Sequence, residues 1–168
     1  MEHHPFWPQT CSSLPATSSM PELLTKYFGS IEYSEQEIVE FAAGLPGFEE
    51  ESQFLVMEPP DSAPLAFLQS LRLPRLCFLI LPMRGIKPDY KLNVTREDLE
   101  SLGLPTTCQP RIGEEIGCFA IIVVAKNGRI TANLLAPVII NRGNRRGAQA
   151  VRIDSIYSHQ HLLTEATC

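Results

Sequence analysis

The chain holds no apolar run near the roughly 18 residues that a membrane-crossing helix needs, so no segment reads as transmembrane. Its first residues have neither a basic stretch nor a continuous apolar one, and so do not read as a secretion signal. The cysteines, Cys11, Cys77, Cys108, Cys118 and Cys168, include no Cys-x-x-Cys pair and are odd in number. That spacing excludes an ordinary metal site and fits a reduced, cytoplasmic compartment. Histidine is scarce: His3 and His4 at one end, His159 and His161 at the other, with no local signature pairing them to a nucleophile. The carboxylates Glu49-Glu50-Glu51 form a run, not a spaced acid–base pair. Gly143-Asn-Arg-Arg-Gly147 lacks the Gly-Lys-Ser/Thr ending of a phosphate loop. No internal repeat is present. These gaps leave no obvious catalytic group and no cofactor or metal motif; a β-fold enzyme stays open only through a concave pocket that holds a titratable pair with shifted pKa values.

Charge of one sign is also missing over long stretches. No Lys or Arg occurs from Tyr27 to Leu71, where Glu32, Glu35, Glu37, Glu40, Glu49, Glu50, Glu51, Glu58 and Asp61 fall. No acid occurs from Ile116 to Ile153, where Lys126, Arg129, Arg142, Arg145, Arg146 and Arg152 fall. The net charge of −5 argues against wholesale nucleic-acid binding, since a protein that tracks phosphates is usually basic. Acidic and basic strands lying side by side are the plainer reading of this pattern, and from charge alone the preferred one. The sharper reading is an acidic face that steers a basic partner.

What is present fits one soluble domain. The length is 168 residues with 44% hydrophobic and 20% charged positions, within the roughly 100–200 residues of a single domain. Residues 1–22 mix Pro, Ser, Thr and His without periodicity and read as a disordered tail, with Met20 as an alternative start. Residues 23–164 read as the domain and 165–168 as a second tail. Within the domain, short strands are expected at Ile31–Tyr33, Ile38–Phe41, Gln53–Glu58, Leu65–Ser70, Leu76–Leu81, Phe119–Ala125, Ile130–Leu135, Val138–Asn141 and Gln149–Ile153. Ser34–Glu37 reads as a turn and Ile112–Gly117 as a loop hinged on its glycines. Cys77-Phe-Leu-Ile-Leu81 is apolar on both faces and should be central or covered on both sides, and Phe119–Ala125 should be buried. Asn127-Gly128 predicts a two-residue type I′ hairpin. One short helix is expected at about 95–102, capped by Thr95 and stopped by Gly103 and Pro105. The pattern predicts a mainly β fold: a small antiparallel β-barrel-like domain or sandwich with one short helix.

The residues open to use lie at turns. Gly44-Leu-Pro46-Gly47-Phe48 is a turn in which Pro fixes φ and the glycines permit positive φ. Phe48, just before Glu49, Glu50 and Glu51, is either a partner-facing aromatic or a staple for its own turn. Asn133, Asn141 and Gln149, with Pro137, read as groups that fix strand ends in preference to direct partner contacts. The Arg142–Arg146 loop reads as a solvated tip, because no aromatic platform accompanies it. The alternative is a small β-barrel RNA-binding module that uses Arg142, Arg145, Arg146 and Arg152.

Several segments in order resemble the FliW family of flagellar assembly factors. They are Ile31-Glu-Tyr33, Phe41-Ala-Ala-Gly-Leu-Pro-Gly-Phe-Glu49, Phe67-Leu-Gln-Ser70, Cys77-Phe-Leu-Ile-Leu-Pro82, Asp89-Tyr90, Thr131-Ala-Asn-Leu-Leu-Ala-Pro-Val-Ile-Ile-Asn141, Gly147-Ala-Gln149 and Tyr157. The likeness runs from about Gly29 to Leu163. It departs at Leu81-Pro82-Met83-Arg84 and at Tyr157-Ser-His-Gln-His161. The resemblance implies a cytoplasmic, non-enzymatic binding protein with a small barrel fold. It implies two partners, flagellin before export and CsrA, a small basic translational regulator, and no direct nucleic-acid or membrane partner. The expected contact residues are Glu32, Glu35, Phe48, Glu49, Glu50 and Glu51, on the acidic first half.

Overall fold

The computed structural model describes residues 19–154 and 156–164. The tails expected over 1–22 and 165–168 lie outside the described residues, apart from 19–22. A hairpin opens the described chain: β1 (Glu22–Thr25) pairs with β2 (Gly29–Glu32). It covers the side of the main sheet, where the Phe28 ring meets Phe67 edge-on at 4.9 Å. Ser34–Glu37 is a 3-10 turn with a full capping box, Ser34 and Glu37 each bonding the other's backbone.

Seven strands then close on themselves. They are β3 (Ile38–Phe41), β4 (Gln53–Met57), β5 (Ala66–Ser70), β6 (Cys77–Pro82), β7 (Ile116–Val124), β9 (Val138–Asn141) and β10 (Arg146–Gln149). The order around the barrel is β7-β6-β5-β4-β3-β10-β9, and β9 returns to β7. Every pair is antiparallel except β3 with β10, which run parallel. The barrel is therefore mainly but not wholly antiparallel.

Two more strands branch from β7. Its first half pairs with β9 and its second half with β8 (Ile130–Ala132), which pairs in turn with β11 (His161–Thr164). The sheet splits here because Asn133 ends β8: its Oδ1 accepts from Leu135 N and Ala136 N at 3.1 and 3.0 Å. The chain turns away, so β8 is shorter than the expected Ile130–Leu135. β7 begins earlier than expected, at Ile116, since Gly117 sits in the ladder opposite Ile140 instead of acting as a hinge. The space its side chain would fill is taken by the Phe119 ring, 2.7 Å from an ideal Cβ.

Other expectations shift for local reasons. The β7–β8 hairpin has a three-residue loop, with Gly128 N donating to Ala125 O and Ala125 N to Arg129 O. Only Gly128 takes positive φ, +80°, so the turn is not type I′ but a tight turn closed by a left-handed glycine. The return strand is Arg146–Gln149, not Gln149–Ile153, because its partners on β9 end at Val138. α2 (Arg96–Leu102) has the expected Thr95 cap and Gly103 at φ +69°. A second helix, the single turn α1 (Met83–Ile86), follows Pro82. It is too short to show a period.

Alternation along the strands builds two cores. Val39, Phe41, Leu45, Phe54, Ala66, Leu68, Ile80, Val138 and Ile140 fill the barrel. Ile116, Cys118, Ala120, Ile122, Ala132 and Ile139 point outwards and are covered by Met83, Tyr90, Val94, Leu99 and Leu102 from the 83–110 segment. Each fully buried Val, Leu, Ile, Phe or Met among them contributes about 1.5–3 kcal/mol. β9, apolar up to its closing Asn141, is thus buried on both faces. β6 is central, with Ile80 inside the barrel and Leu79 and Leu81 against the outer core.

Candidate partner-binding surface

The Gly44–Glu51 loop sits over one mouth of the barrel. Gly44 holds φ +66°, and a Cβ there would lie 2.6 Å from Glu49 Cα, so only glycine fits. Leu45, fully buried, drops into the barrel core as a plug. Phe48 N donates back to Leu45 O at 2.7 Å across Pro46-Gly47, with Gly47 at φ +85°. Proline then left-handed glycine is the pattern of a type II turn.

The turn sends the next side chains to different places. Phe48 is 38% exposed, yet its ring meets Phe78 edge-on at 5.3 Å. It is at once a staple and a surface aromatic. Glu49 is exposed and accepts from Gly47 N at 2.9 Å, a backbone bond that holds its carboxyl below the ordinary value. Glu50 is exposed and reaches Arg72 at 3.3 Å.

Glu51 corrects the expectation of a surface residue. It is only 3% exposed. Ser70 Oγ donates to it at 2.8 Å and Arg72 Nε at 2.9 Å. The Arg72 guanidinium, chiefly, holds its carboxyl below the ordinary range. Glu51 ties the plug loop to the β5–β6 turn, and its bonding capacity is spent within the fold.

Glu32 and Glu35 do not join this group. Glu35 stands on the 3-10 turn before β3, at the opposite mouth, and Glu32 lies on β2 facing Glu22 across the hairpin. The acidic first half is thus divided by the length of β3. Glu40 on β3 stands opposite Arg146 on β10, so acidic and basic strands do lie side by side. Among the described residues, though, no ion pair joins the two groups. Their contacts run through the backbone: Arg145 Nη donates to Glu37 O at 2.7 Å, and Glu40 N to Arg145 O at 3.0 Å.

The opposite mouth is not plugged. A cavity of about 460 Å³ opens there, lined by Glu37, Val56, Gly117, Phe119, Arg142 and Arg145 among others. Arg145 takes φ +60°, the one non-glycine residue with positive φ among those described. The proposed basic RNA patch is broken up. Arg152 is buried, paired with Asp154 and donating to Lys91 O, with its guanidinium over the rings of Tyr90 and Tyr157 at 5.7 and 4.9 Å.

The polar turn residues bond the chain itself. Asn141, buried, donates to Leu102 O at 2.9 Å and accepts from Gly143 N at 2.8 Å. Gln149 donates to Ala136 O at 3.0 Å, and Pro137 O accepts from Ala150 N at 3.0 Å. Burial pushes the Cys77 and Cys118 thiols up to about 11 and about 12, which keeps them protonated and poorly nucleophilic. Among the described residues no three His, Cys, Asp or Glu side chains group as metal ligands. Among the described residues no helix is long and apolar enough to cross a membrane.

Sequence reasoning missed Arg72, Phe78, Val123 and Leu162 as neighbours of this region. Val123 and Val124 end a strand expected to be buried, yet both are exposed. The signal available was their position beside the polar hairpin Ala125-Lys-Asn-Gly128, where a strand runs out of cover.

Known proteins match this arrangement along almost its whole length. The family model described as FliW protein matches residues 22–163. A flagellar assembly factor FliW of Caldanaerobacter subterraneus subsp. tengcongensis is 35% identical over 146 residues, 86% of this chain and 93% of the relative. One of Syntrophomonas wolfei is 32% identical over 147 residues, covering 87% and 90%. One of Bacillus subtilis is 30% identical over 145 residues, covering 86% and 97%. A crystal structure of the flagellar assembly factor FliW superposes with a TM-score of 0.74 at 34% identity, covering 86% of this chain and 97% of the other. Fold and sequence therefore agree, and the chain belongs to the FliW family of flagellar assembly factors.

Proposed function

We propose that this protein is a non-enzymatic cytoplasmic binding factor with two alternative partners, flagellin and the CsrA-type translational regulator. Bound to flagellin, it leaves the regulator free to repress flagellin mRNA. Once flagellin is exported, the free factor sequesters the regulator and translation resumes. The observation that carries this reading is family membership over residues 22–163. The surface supports it physically. Phe48, Glu49 and Glu50 stand exposed on a rigid plug, an aromatic anchor beside acids suited to a basic protein. Of the thiols, Cys118 is buried and Cys77 half-buried, and burial raises both, so neither is a ready nucleophile.

The test is calorimetric titration of the full chain with purified regulator and, separately, with flagellin. Each is expected to form a complex, and added flagellin is expected to displace the regulator. Binding to neither protein ends this reading.

A further inference from the structure

The inner face of the barrel wall does not stop where the barrel stops. β9 covers β7 only as far as Phe119, yet β7 runs on to Val124 and carries β8 and β11 with it. Inward-facing positions on this extension have nothing opposite them. Register fixes which they are. Phe119 and Ile121 face the barrel core, so Val123 shares their side of the strand. Thr131 on β8 stands directly beside Val123, and Leu162 on β11 directly beside Thr131. On the other flank, one step past the Leu79–Ile122 pair, lies Phe78, with the Phe48 ring against it.

The result is an apolar ledge running Phe48, Phe78, Val123, Thr131, Leu162. Phe48 is 38% exposed, Val123 55% and Leu162 38%. From β6 to β11 it crosses three strand spacings, about 14 Å, close to the length of two to three helical turns. At the Phe48 end stand the carboxylates of Glu49 and Glu50. Glu49 has no cation among the described residues, and Glu50 only the exposed Arg72. The floor is stiff, being four hydrogen-bonded strands and a plug loop clasped by Glu51.

We infer that this ledge is the docking surface for a basic amphipathic segment of a protein partner. Apolar side chains of the segment lie on Phe48, Val123 and Leu162, and a Lys or Arg reaches Glu49 and Glu50. The inference rests on the binding-factor reading and assigns the ledge to the basic regulator, on charge complementarity.

The full chain and three variants are titrated with purified regulator: V123D/L162D on the ledge, E49Q/E50Q at its acidic end, and R142Q at the far mouth. Thermal melts check that each variant is folded; the altered side chains are all exposed. Loss of about tenfold or more in affinity is expected for V123D/L162D at any salt. A few-fold loss at low salt that fades at high salt is expected for E49Q/E50Q, and no change for R142Q. A wild-type chain that does not bind the regulator overturns the functional reading itself. A wild-type chain that binds, with folded V123D/L162D binding equally well, overturns the ledge alone. So does loss of flagellin binding in that variant with regulator binding intact.

Discussion

The two mouths of the barrel solve the same problem in opposite ways. At one, the Gly44–Glu51 loop folds inwards, and Leu45 completes the core while Glu51, Ser70 and Arg72 clasp the rim. At the other, Gly117 contributes no side chain, and a cavity of about 460 Å³ is left between apolar walls such as Val56 and Phe119 and the charged Glu37, Arg142 and Arg145. The strained residues differ accordingly. Gly44 holds its left-handed φ without penalty, whereas Arg145 holds φ +60° against its own Cβ. Closure makes a platform stiff enough to present Phe48 and Glu49. The open mouth has room for water and arginine side chains but offers no such platform. A motif read as a surface turn is therefore as much a stopper as a surface.

The contrast is broken most severely by truncating one aliphatic side chain at each end. Leu45→Ala is expected to cost about 2–5 kcal/mol, as large-to-small changes in packed cores do. Val56→Ala, beside the cavity, is expected to cost only about 1 kcal/mol. Urea unfolding of both variants measures the gap; equal losses would mean the mouths are packed alike.

A smaller effect tests the clasp. Glu51→Gln keeps the shape and the Ser70 bond but removes the charge facing Arg72, and about 1–3 kcal/mol is expected at neutral pH. Because the folded carboxyl titrates below its ordinary 4.5, its contribution is complete above that value. It is lost as pH falls through the lower, folded value. The difference between wild type and variant should shrink as acid is added. A difference constant down to pH 3 would rule out an ionic clasp. The smallest expected change is at Arg145→Gly, where released backbone strain offsets the lost side chain and stability stays within about 1 kcal/mol of wild type.

How much could be read in advance depended on how local the cause was. The turn at Gly44–Phe48 and helix α2 were legible because Pro46, Gly47, Thr95 and Gly103 act on their own neighbours. Glu51 was not, since its partner Arg72 lies on another turn and three adjacent glutamates look alike in one dimension. β11 was invisible for a similar reason: His161-Leu-Leu-Thr164 becomes a strand only by lying against β8. β8 itself was read as too long because the alternation runs on through Asn133 to Leu135, whereas Asn133 turns the chain and the strand ends three residues earlier, at Ala132. The family resemblance supplied the barrel's relatives, but not the split of the acids between two mouths.

The parallel pairing of β3 with β10 also sets a timetable. During synthesis β3 leaves the ribosome long before Arg146–Gln149 exist, and its second edge has no strand to meet until they do. The nascent chain is then a half-built barrel with an open seam backed by Val39 and Phe41. Such an edge invites pairing with a neighbouring copy, and charge is the usual deterrent. Glu37 and Glu40 flank that seam, Glu37 through the carbonyl that meets Arg145 and Glu40 opposite Arg146 in the register, so the edge that waits longest for its strand is one that carries acids.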